Sequence, residues 1–202
     1  MKKVNIFLGV VVITIVMLSC EKPSITQDDG VVINGVKWAT RNVGATGTFV
    51  SKSEEYGGLY QWNRKDTANF LLYEDYFASA FSTETYWLLA NNPCPQGWRI
   101  PTYYELRTLL DTSKVKNEWV EQGGIFGRKF TDLNTEKSIF VPAAGYRGYY
   151  NGDAHSAGVC GCYWSCEKYG NKNAYYLYFY GGGANLFDGN EAYGFFIRPV
   201  AE

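Results

Sequence analysis

Residues 175–180 read Tyr-Tyr-Leu-Tyr-Phe-Tyr, an alternation that is typical of a β-strand. Successive side chains of a strand point to opposite faces, so Leu177 and Phe179 are expected to face the core. Tyr176, Tyr178 and Tyr180 then point the other way, where a run of large aromatic side chains needs an explanation. A ladder of cross-strand tyrosines is one explanation. We favour a binding surface, because Leu177 and Phe179 already supply the inner face.

Other short elements are predicted on the N-terminal side of this strand. Residues 31–33 and 36–38 flank Asn34-Gly35, which is the strongest short signal for a β-hairpin. A capping box of Thr102 and Glu105 predicts a helix over about 103–111. Further strands are expected at 59–62, 139–142 and 194–200, and a short helix near 70–77. Together they predict an α+β domain of short antiparallel strands, one or two helices and much loop.

The composition sets limits on function. The chain has 202 residues, 46% of them hydrophobic and 17% aromatic, with a formal net charge of -1. This length suits one domain, which we place at 31–202. A nearly neutral chain lacks the basic surface that nucleic acid requires, so no nucleic-acid partner is expected.

The first 30 residues indicate export. Lys2 and Lys3 precede an apolar run over 4–18, which suits a secretion signal and is short for a membrane span. A small residue followed by Cys20 resembles the lipobox of bacterial lipoproteins. This implies a lipoprotein signal peptide over 1–19, a lipidated Cys20 and a polar tether over 20–30. We expect an outer-membrane lipoprotein at the cell surface, although the sequence leaves the periplasmic face open.

Six motifs in a fixed order support a family resemblance; they lie at 38–42, 57–62, 94–102, 145–147, 163–165 and 194–200. This order resembles the Fibrobacter succinogenes major paralogous domain, which is common in lipoproteins of Bacteroides-like bacteria. The resemblance implies a C-type-lectin-like fold. The C-terminal third is also similar to the variable proteins of diversity-generating retroelements, which display a randomised surface on a fixed scaffold.

The resemblance implies candidate ligand-binding residues in the C-terminal third. Each candidate can be reached from an asparagine codon by changing adenines only, and tyrosine and serine are favoured in antibody-like binding surfaces. The candidates are Tyr149, Tyr150, Asn151, Asp153, His155, Ser156, Cys160, Cys162, Tyr176, Tyr178, Tyr180 and Tyr193. The resulting hypothesis is a surface-anchored ligand-binding module, a receptor or adhesin whose ligand is a protein or a glycan. The alternatives are a calcium-independent glycan-binding lectin and a structural subunit of a surface assembly.

An enzyme is not expected. His155 is the only histidine of the chain, so a catalytic triad would depend on it alone. The cysteine cluster at 160–166 does not match the pattern of formylglycine-generating enzymes, whose fold is related to that of the resembled family. That activity is therefore the least expected of the hypotheses.

No cofactor or metal is expected, although two metal sites were weighed. Asp188, Asn190 and Glu191 offer oxygen atoms for calcium in what is more simply a polar turn. Zinc would need Cys160, Cys162 and Cys166 together with a fourth ligand. Those three cysteines could instead hold one disulfide. Cys94 is expected to be a buried free thiol.

Overall fold

The computed structural model describes residues 24–67, 71–72, 75 and 81–202. The expected signal peptide, the lipidation site Cys20 and most of the helix expected near 70–77 lie outside the described residues. Within the described part of the chain, no helix is long and apolar enough to cross a membrane.

The expected α+β, C-type-lectin-like fold class is wrong. Strand makes up 41% of the described residues and helix only 6%, with one short α-helix and several small antiparallel sheets. The difference arises mainly over 115–190, where strands were expected only at 139–142 and 175–180 but the structure has β-strands over most of the stretch. The strands of the described chain are β1 Val31–Ile33, β2 Val36–Trp38, β3 Trp98–Arg99, β4 Val115–Gln122, β5 Ile125–Asp132, β6 Ser138–Pro142, β7 Tyr146–Arg147, β8 Ala154–His155, β9 Cys160–Tyr169, β10 Asn173–Tyr180, β11 Gly183–Asn190 and β12 Val200–Ala201.

The strands pair into separate small sheets. Their orders are β1-β2-β12-β3, β4-β5-β6, β11-β10-β9 and β7-β8. Helix α1 spans Tyr103–Thr108, and a 3-10 helix spans Leu89–Asn91. The β9–β11 sheet matters most for function, because it positions the candidate site.

Local signals explain several of these elements. Asn34 and Gly35 adopt positive φ angles of 46° and 81°, as a tight hairpin turn between β1 and β2 requires. Thr102 and Glu105 form the expected capping box, so the predicted start of α1 is confirmed. The strand at 139–142 is also confirmed, as part of β6.

Two expected strands are largely absent from the described structure. Residues 59–62 form only an isolated bridge, in which Tyr60 exchanges two backbone hydrogen bonds with Phe195. Of residues 194–200, only Val200 joins a strand. The carbonyl groups of this segment accept from different neighbours, Ile197 from Val43 and Pro199 from Ala39, and Pro199 has no N–H to donate. No continuous ladder can therefore form.

The core consists of two adjoining clusters of buried side chains. Arg198 is buried between segments that are distant in sequence, and it donates to the carbonyl oxygens of Ala39 at 3.1 Å and Phe140 at 3.0 Å. Its Nε also donates to Oδ1 of Asn42 at 2.8 Å. The buried hydrophobic side chains include Leu177 and Phe179, as expected, together with Trp38, Trp62, Trp98, Leu106, Leu109, Phe140 and Trp164.

The last part of the expected tether lies against the domain. The carboxylate of Asp28 accepts from the backbone N–H and the hydroxyl of Thr40, at 3.0 and 2.8 Å, and from Nε of Arg41 at 3.1 Å. The backbone N–H of Phe49 donates to the carbonyl oxygen of Ile25 at 2.6 Å. Residues 25 and 28 therefore pack against the domain that the sequence places at 31–202.

The Asp28 contacts predict a pH-dependent contribution to stability. Burial alone raises the pKa of Asp28, but the hydrogen bonds from Thr40, Gly30 and Arg41 outweigh burial and hold the pKa below its ordinary value. A lowered pKa means that the stabilisation is present above about pH 4 and is lost as the pH falls through the folded-state pKa. We expect Asp28→Asn to lower the free energy of unfolding at pH 7 by about 1–3 kcal/mol.

Urea unfolding at pH 7 and pH 3 measures this effect. The difference between wild type and Asp28→Asn should shrink at pH 3, because the wild-type carboxylate is then becoming protonated. Asp29→Asn is the matched control, since Asp29 is exposed and adjacent. An Asp28→Asn difference of equal size at both pH values would contradict the prediction.

Candidate ligand-binding site

The outer face of the β9–β11 sheet carries the candidate site. In β10, Tyr176 pairs with Trp164 of β9 and Phe187 of β11, and Tyr178 pairs with Cys162 and Asn185. The expected alternation of β10 is confirmed, because Leu177 and Phe179 are buried on the inner face. A register shift between β9 and β10 lies between Ala174 and Tyr176, at the edge of the site.

Aromatic rings form a continuous band across this face. The ring centroids of successive neighbours lie 4.3 to 6.4 Å apart, within the range of favourable aromatic contacts. Phe195 is buried, and the rings at the two ends are exposed to solvent, with Tyr180 at one end and Tyr150 at the other. In order, the aromatic band consists of Tyr180, Tyr178, Phe187, Tyr176, Phe195, Tyr193, Tyr149 and Tyr150.

A cavity of about 400 Å³ opens beside the middle of the aromatic band. Gly189 helps to keep it open, because a methyl group there would lie 3.1 Å from Cε1 of Tyr176. The turn after β11 supplies one wall and the β9 thiols supply part of another. The lining residues are Tyr146, Ser156, Cys160, Cys162, Tyr176, Tyr178, Asp188, Gly189, Tyr193 and Phe195.

Of the twelve candidate residues predicted from the sequence, nine line the cavity, line an adjoining depression or extend the aromatic band. Six line the cavity: Ser156, Cys160, Cys162, Tyr176, Tyr178 and Tyr193. Tyr180 lines an adjoining depression of about 250 Å³ with Tyr178 and Phe187. Tyr149 and Tyr150 extend the aromatic band from Tyr193.

The remaining three candidates lie beside the band. The ring of His155 is 5.3 Å from that of Tyr146, which lines the cavity. Asn151 donates to the carboxylate of Asp153 at 2.6 Å, and this contact lies within the turn between β7 and β8. Asn151 and Asp153 therefore shape the loop that follows Tyr150, and neither lines the cavity.

The sequence prediction missed five lining or band residues: Tyr146, Phe187, Asp188, Gly189 and Phe195. Their positions depend on the register of β11 and on the path of the chain after it. The segment 183–190 is rich in glycine and carries no strong strand pattern, so it gave little signal. Tyr146 and Phe195 belonged to motifs at 145–147 and 194–200 and could have been included on that basis.

The cavity is largely uncharged. Burial raises the pKa values of Tyr178 and Tyr193, so both hydroxyl groups stay protonated at neutral pH and can donate as well as accept hydrogen bonds. Asp188 is the acidic residue among the lining residues, and its carboxylate accepts from Nδ2 of Asn173 at 2.8 Å. The site therefore combines ring faces with neutral polar groups and the single carboxylate of Asp188.

Cys160 and Cys162 lie two residues apart on the same face of β9 and line the cavity together. Interaction with the neighbouring Cys162 lowers the pKa of Cys160, and the proximity of Ser156 and Tyr178 adds to this effect, which outweighs the opposing effect of burial. The same contact and burial raise the pKa of Cys162. All four described cysteines are free thiols, so the disulfide considered among 160, 162 and 166 is not formed, and Cys94 is buried as expected.

The structure gives no support to the two metal sites. Asp188 faces Asn173, Oδ1 of Asn190 accepts from the N–H of Ala192, and Glu191 forms a buried ion pair with Lys168. These oxygen atoms therefore have separate partners and do not converge. Nowhere in the described ranges do three or more His, Cys, Asp or Glu side chains form a group that could hold a metal ion.

A larger groove of about 720 Å³ lies between α1 and β11. Tyr103, Tyr104, Arg107 and Asn185 are among its lining residues. It contains none of the twelve predicted site residues and no member of the aromatic band. The groove is therefore a surface separate from the candidate site, and its Tyr104 is exposed to solvent.

Comparisons with known proteins reach only part of the chain. A family model described as a domain of unknown function (DUF8237) matches residues 124–200. No curated protein and no solved structure matches the chain. The matched region runs from the turn before β5 to the start of β12, so all the lining residues of the cavity fall inside it.

Proposed function

We propose that this protein is a ligand-binding module held at the bacterial cell surface by a lipid on Cys20. The ligand binds in the cavity beside the aromatic band. The observation that carries the proposal is the continuity of this band: eight rings in successive contact flank a cavity that contains neutral hydrogen-bonding groups. A structural role for the tyrosines would not require the space that Gly189 keeps open.

The physical properties of the site fit binding. Its volume lies within the range of small-molecule pockets, which are mostly apolar with a few well-placed polar groups. Tyrosine side chains offer a large contact area and have only two rotatable bonds, so little entropy is lost when a ligand orders them. The exposed ends of the band extend this contact area beyond the cavity.

One observation favours a glycan as the ligand, bound without calcium. The lining combines aromatic faces with uncharged tyrosine and serine hydroxyl groups, and the acidic residues considered for calcium have other partners. Sugar rings present an apolar face and a rim of hydroxyl groups, which match these two kinds of protein surface. A protein ligand that inserts one side chain is the other candidate.

The clustering of the predicted positions supports a further part of the proposal, that this face is diversified by a retroelement. Six of the twelve positions reachable from asparagine codons line one cavity, and three more extend the band or its adjoining depression. Such an arrangement would let codon changes alter the ligand while the inner face keeps the sheet folded. A template copy of these codons beside the gene, differing at adenines, is the expected genetic sign.

Replacing Tyr178 tests the binding proposal. Tyr178 contacts two other rings of the band and lines both the cavity and the adjoining depression. We expect Tyr178→Ala to weaken binding at least tenfold, which corresponds to about 1.4 kcal/mol or more. The ligand is first selected on glycan and protein arrays, and its affinity is then measured by calorimetry.

Tyr104→Ala is the matched control, because Tyr104 is an exposed tyrosine on α1, outside the aromatic band. It should leave the affinity within about twofold of wild type. Equal binding by wild type and Tyr178→Ala would refute the proposal. So would a stable self-assembly in solution that buries the band, since that is the behaviour of a structural subunit.

A further inference from the structure

A second pair of aromatic side chains lies beyond the Tyr180 end of the aromatic band. The rings of Trp119 on β4 and Phe126 on β5 stack at an interplanar angle of 8°, with their centroids 5.9 Å apart. Phe126 is 44% exposed and Trp119 is half-buried, so the pair presents an apolar surface to solvent that needs an explanation. The other tryptophans are all buried: Trp38, Trp62, Trp87, Trp98 and Trp164.

The turn between β10 and β11 connects this stacked pair to the aromatic band. A methyl group at Gly181 would lie 3.9 Å from Nε1 of Trp119, and one at Gly182 would lie 2.6 Å from Cε2 of Tyr180. The two rings therefore lie against neighbouring residues of one tight turn. Tyr178 lines both the cavity and the adjoining depression, and Tyr180 lines the depression. An aromatic path thus leads from the cavity, through the depression, to the stacked pair.

Arg128 fixes the relative positions of these two aromatic surfaces. It belongs to β5, is only 5% exposed, and donates from Nη2 to the carbonyl oxygen of Tyr180 at 2.8 Å. Its Nη1 donates to Oδ1 of Asn117 on β4 at 2.5 Å. Because a buried charge depends on its hydrogen bonds, these contacts hold the end of β10 against β4 and β5. The aromatic path is therefore pre-organised, which reduces the entropy lost when a ligand binds.

The turn between the two surfaces carries no side chains. Residues 181–183 are all glycine, and none of them has a positive φ in the described structure, so the backbone of the turn does not require glycine. A methyl group at Gly183 would meet no described atom within 4 Å. Neither backbone conformation nor packing explains glycine at this position, whereas close approach of a ligand to the backbone would explain it.

We propose that the binding site continues over this turn onto Trp119 and Phe126, and that its ligand is an elongated glycan of several sugar units. This inference rests on the proposed function, because the cavity binds one part of the same chain. Tyr180 contacts the sugar that reaches the turn, and the stacked pair contacts the sugars beyond it. A glycan chain repeats an apolar face and a rim of hydroxyl groups, and a path of separate rings with exposed backbone between them matches that repeat.

The test measures affinity against glycan length. The probes are oligosaccharide ladders of glucan, xylan and mannan, each from the monosaccharide to the hexasaccharide. For a ladder that the mature protein binds, affinity should rise at least about tenfold from the shortest bound member to the hexasaccharide. Equal affinity along the ladder would overturn the extended site and leave the cavity proposal standing. Binding to no ladder would overturn the glycan ligand itself, and this extension with it.

Two variants locate the extension. Phe126→Ala removes one ring of the stacked pair, and Gly183→Val places a side chain on the path where space is open. Each should weaken hexasaccharide binding roughly tenfold and leave binding of the shortest bound member within about twofold of wild type. Leu133→Ala is the matched control, because Leu133 is 48% exposed and follows the opposite end of β5. Equal losses in Phe126→Ala and Leu133→Ala, or no loss in the two path variants, would overturn the proposal.

Acrylamide quenching of fluorescence gives an independent readout, because Trp119 is the tryptophan that solvent reaches. The bound hexasaccharide should shield Trp119 from acrylamide, whereas the shortest bound member should not. Trp119→Phe identifies the signal, since it removes the accessible fluorophore and keeps an aromatic ring. Unchanged quenching at saturating hexasaccharide would contradict contact between the glycan and Trp119.

Discussion

Replacing Lys168 with methionine is expected to lower the free energy of unfolding by about 3–5 kcal/mol. Nζ of Lys168 lies 2.9 Å from Oε1 of Glu191, and the two side chains are only 7% and 0% exposed. Methionine has nearly the same length but no charge, so Glu191 would keep its buried charge without this cation. Urea unfolding, followed by tryptophan fluorescence, measures the loss.

An exposed ion pair in the same protein provides the control. Nζ of Lys116 lies 2.8 Å from Oε1 of Glu118, but these side chains are 58% and 40% exposed. Water screens such pairs, so Lys116→Met should cost less than about 1 kcal/mol. Similar losses in Lys168→Met and Lys116→Met would show that burial of the first pair does not matter to stability.

The buried pair also bears on the binding site. The carbonyl oxygen of Glu191 accepts from the N–H of Trp62 at 3.0 Å, and the next turn brings the N–H of Tyr193 to the carbonyl oxygen of Asn190 at 3.0 Å. Lys168 and Glu191 thus fix the base of the turn that carries Tyr193 to the cavity wall. The polar turn that the sequence offered as a calcium site is better explained as a support for this wall.

Local sequence patterns were sufficient to predict those elements whose conformation is determined by neighbouring residues. Asn34-Gly35 predicted a hairpin, and Thr102 with Glu105 predicted the start of α1, because each signal depends on backbone groups within four residues. The end of α1 was placed too late. Asp111 accepts from the N–H of Ser113 at 3.0 Å, and this local turn competes with continuation of the helix.

The missed parts of the fold and the site depend on contacts between distant residues. The β4–β5 hairpin turns at Gly123 and Gly124, both with positive φ, so this glycine pair is a local signal from which the hairpin could have been predicted. In contrast, the pairing of Phe187 with Tyr176 follows from the register of β11, which alternation within one strand cannot fix. Phe195 is held beside the band by two backbone hydrogen bonds with Tyr60, a residue that is distant in sequence.

Phe195→Ala should cause both a large loss of stability and a loss of binding. The Phe195 ring lies 4.2 Å from that of Trp164, 4.6 Å from Tyr176 and 5.3 Å from Tyr193, measured between centroids, and it is almost fully buried. Truncating a buried phenylalanine typically costs about 3–5 kcal/mol. The removed ring also links the tyrosines of β10 to Tyr193, so the cavity should lose its shape even in molecules that remain folded.

Phe130→Ala separates these two effects. Phe130 is fully buried too, but it packs in the other core cluster, with its ring centroid 6.4 Å from that of Phe179 on the inner face of the sheet. Both variants should lose similar stability, as measured by urea unfolding. Only Phe195→Ala should lose affinity for the array-selected ligand, measured at a temperature where both variants are folded. Equal affinity losses would mean that binding follows overall stability, and retained affinity in Phe195→Ala would remove the middle of the aromatic band from the binding site.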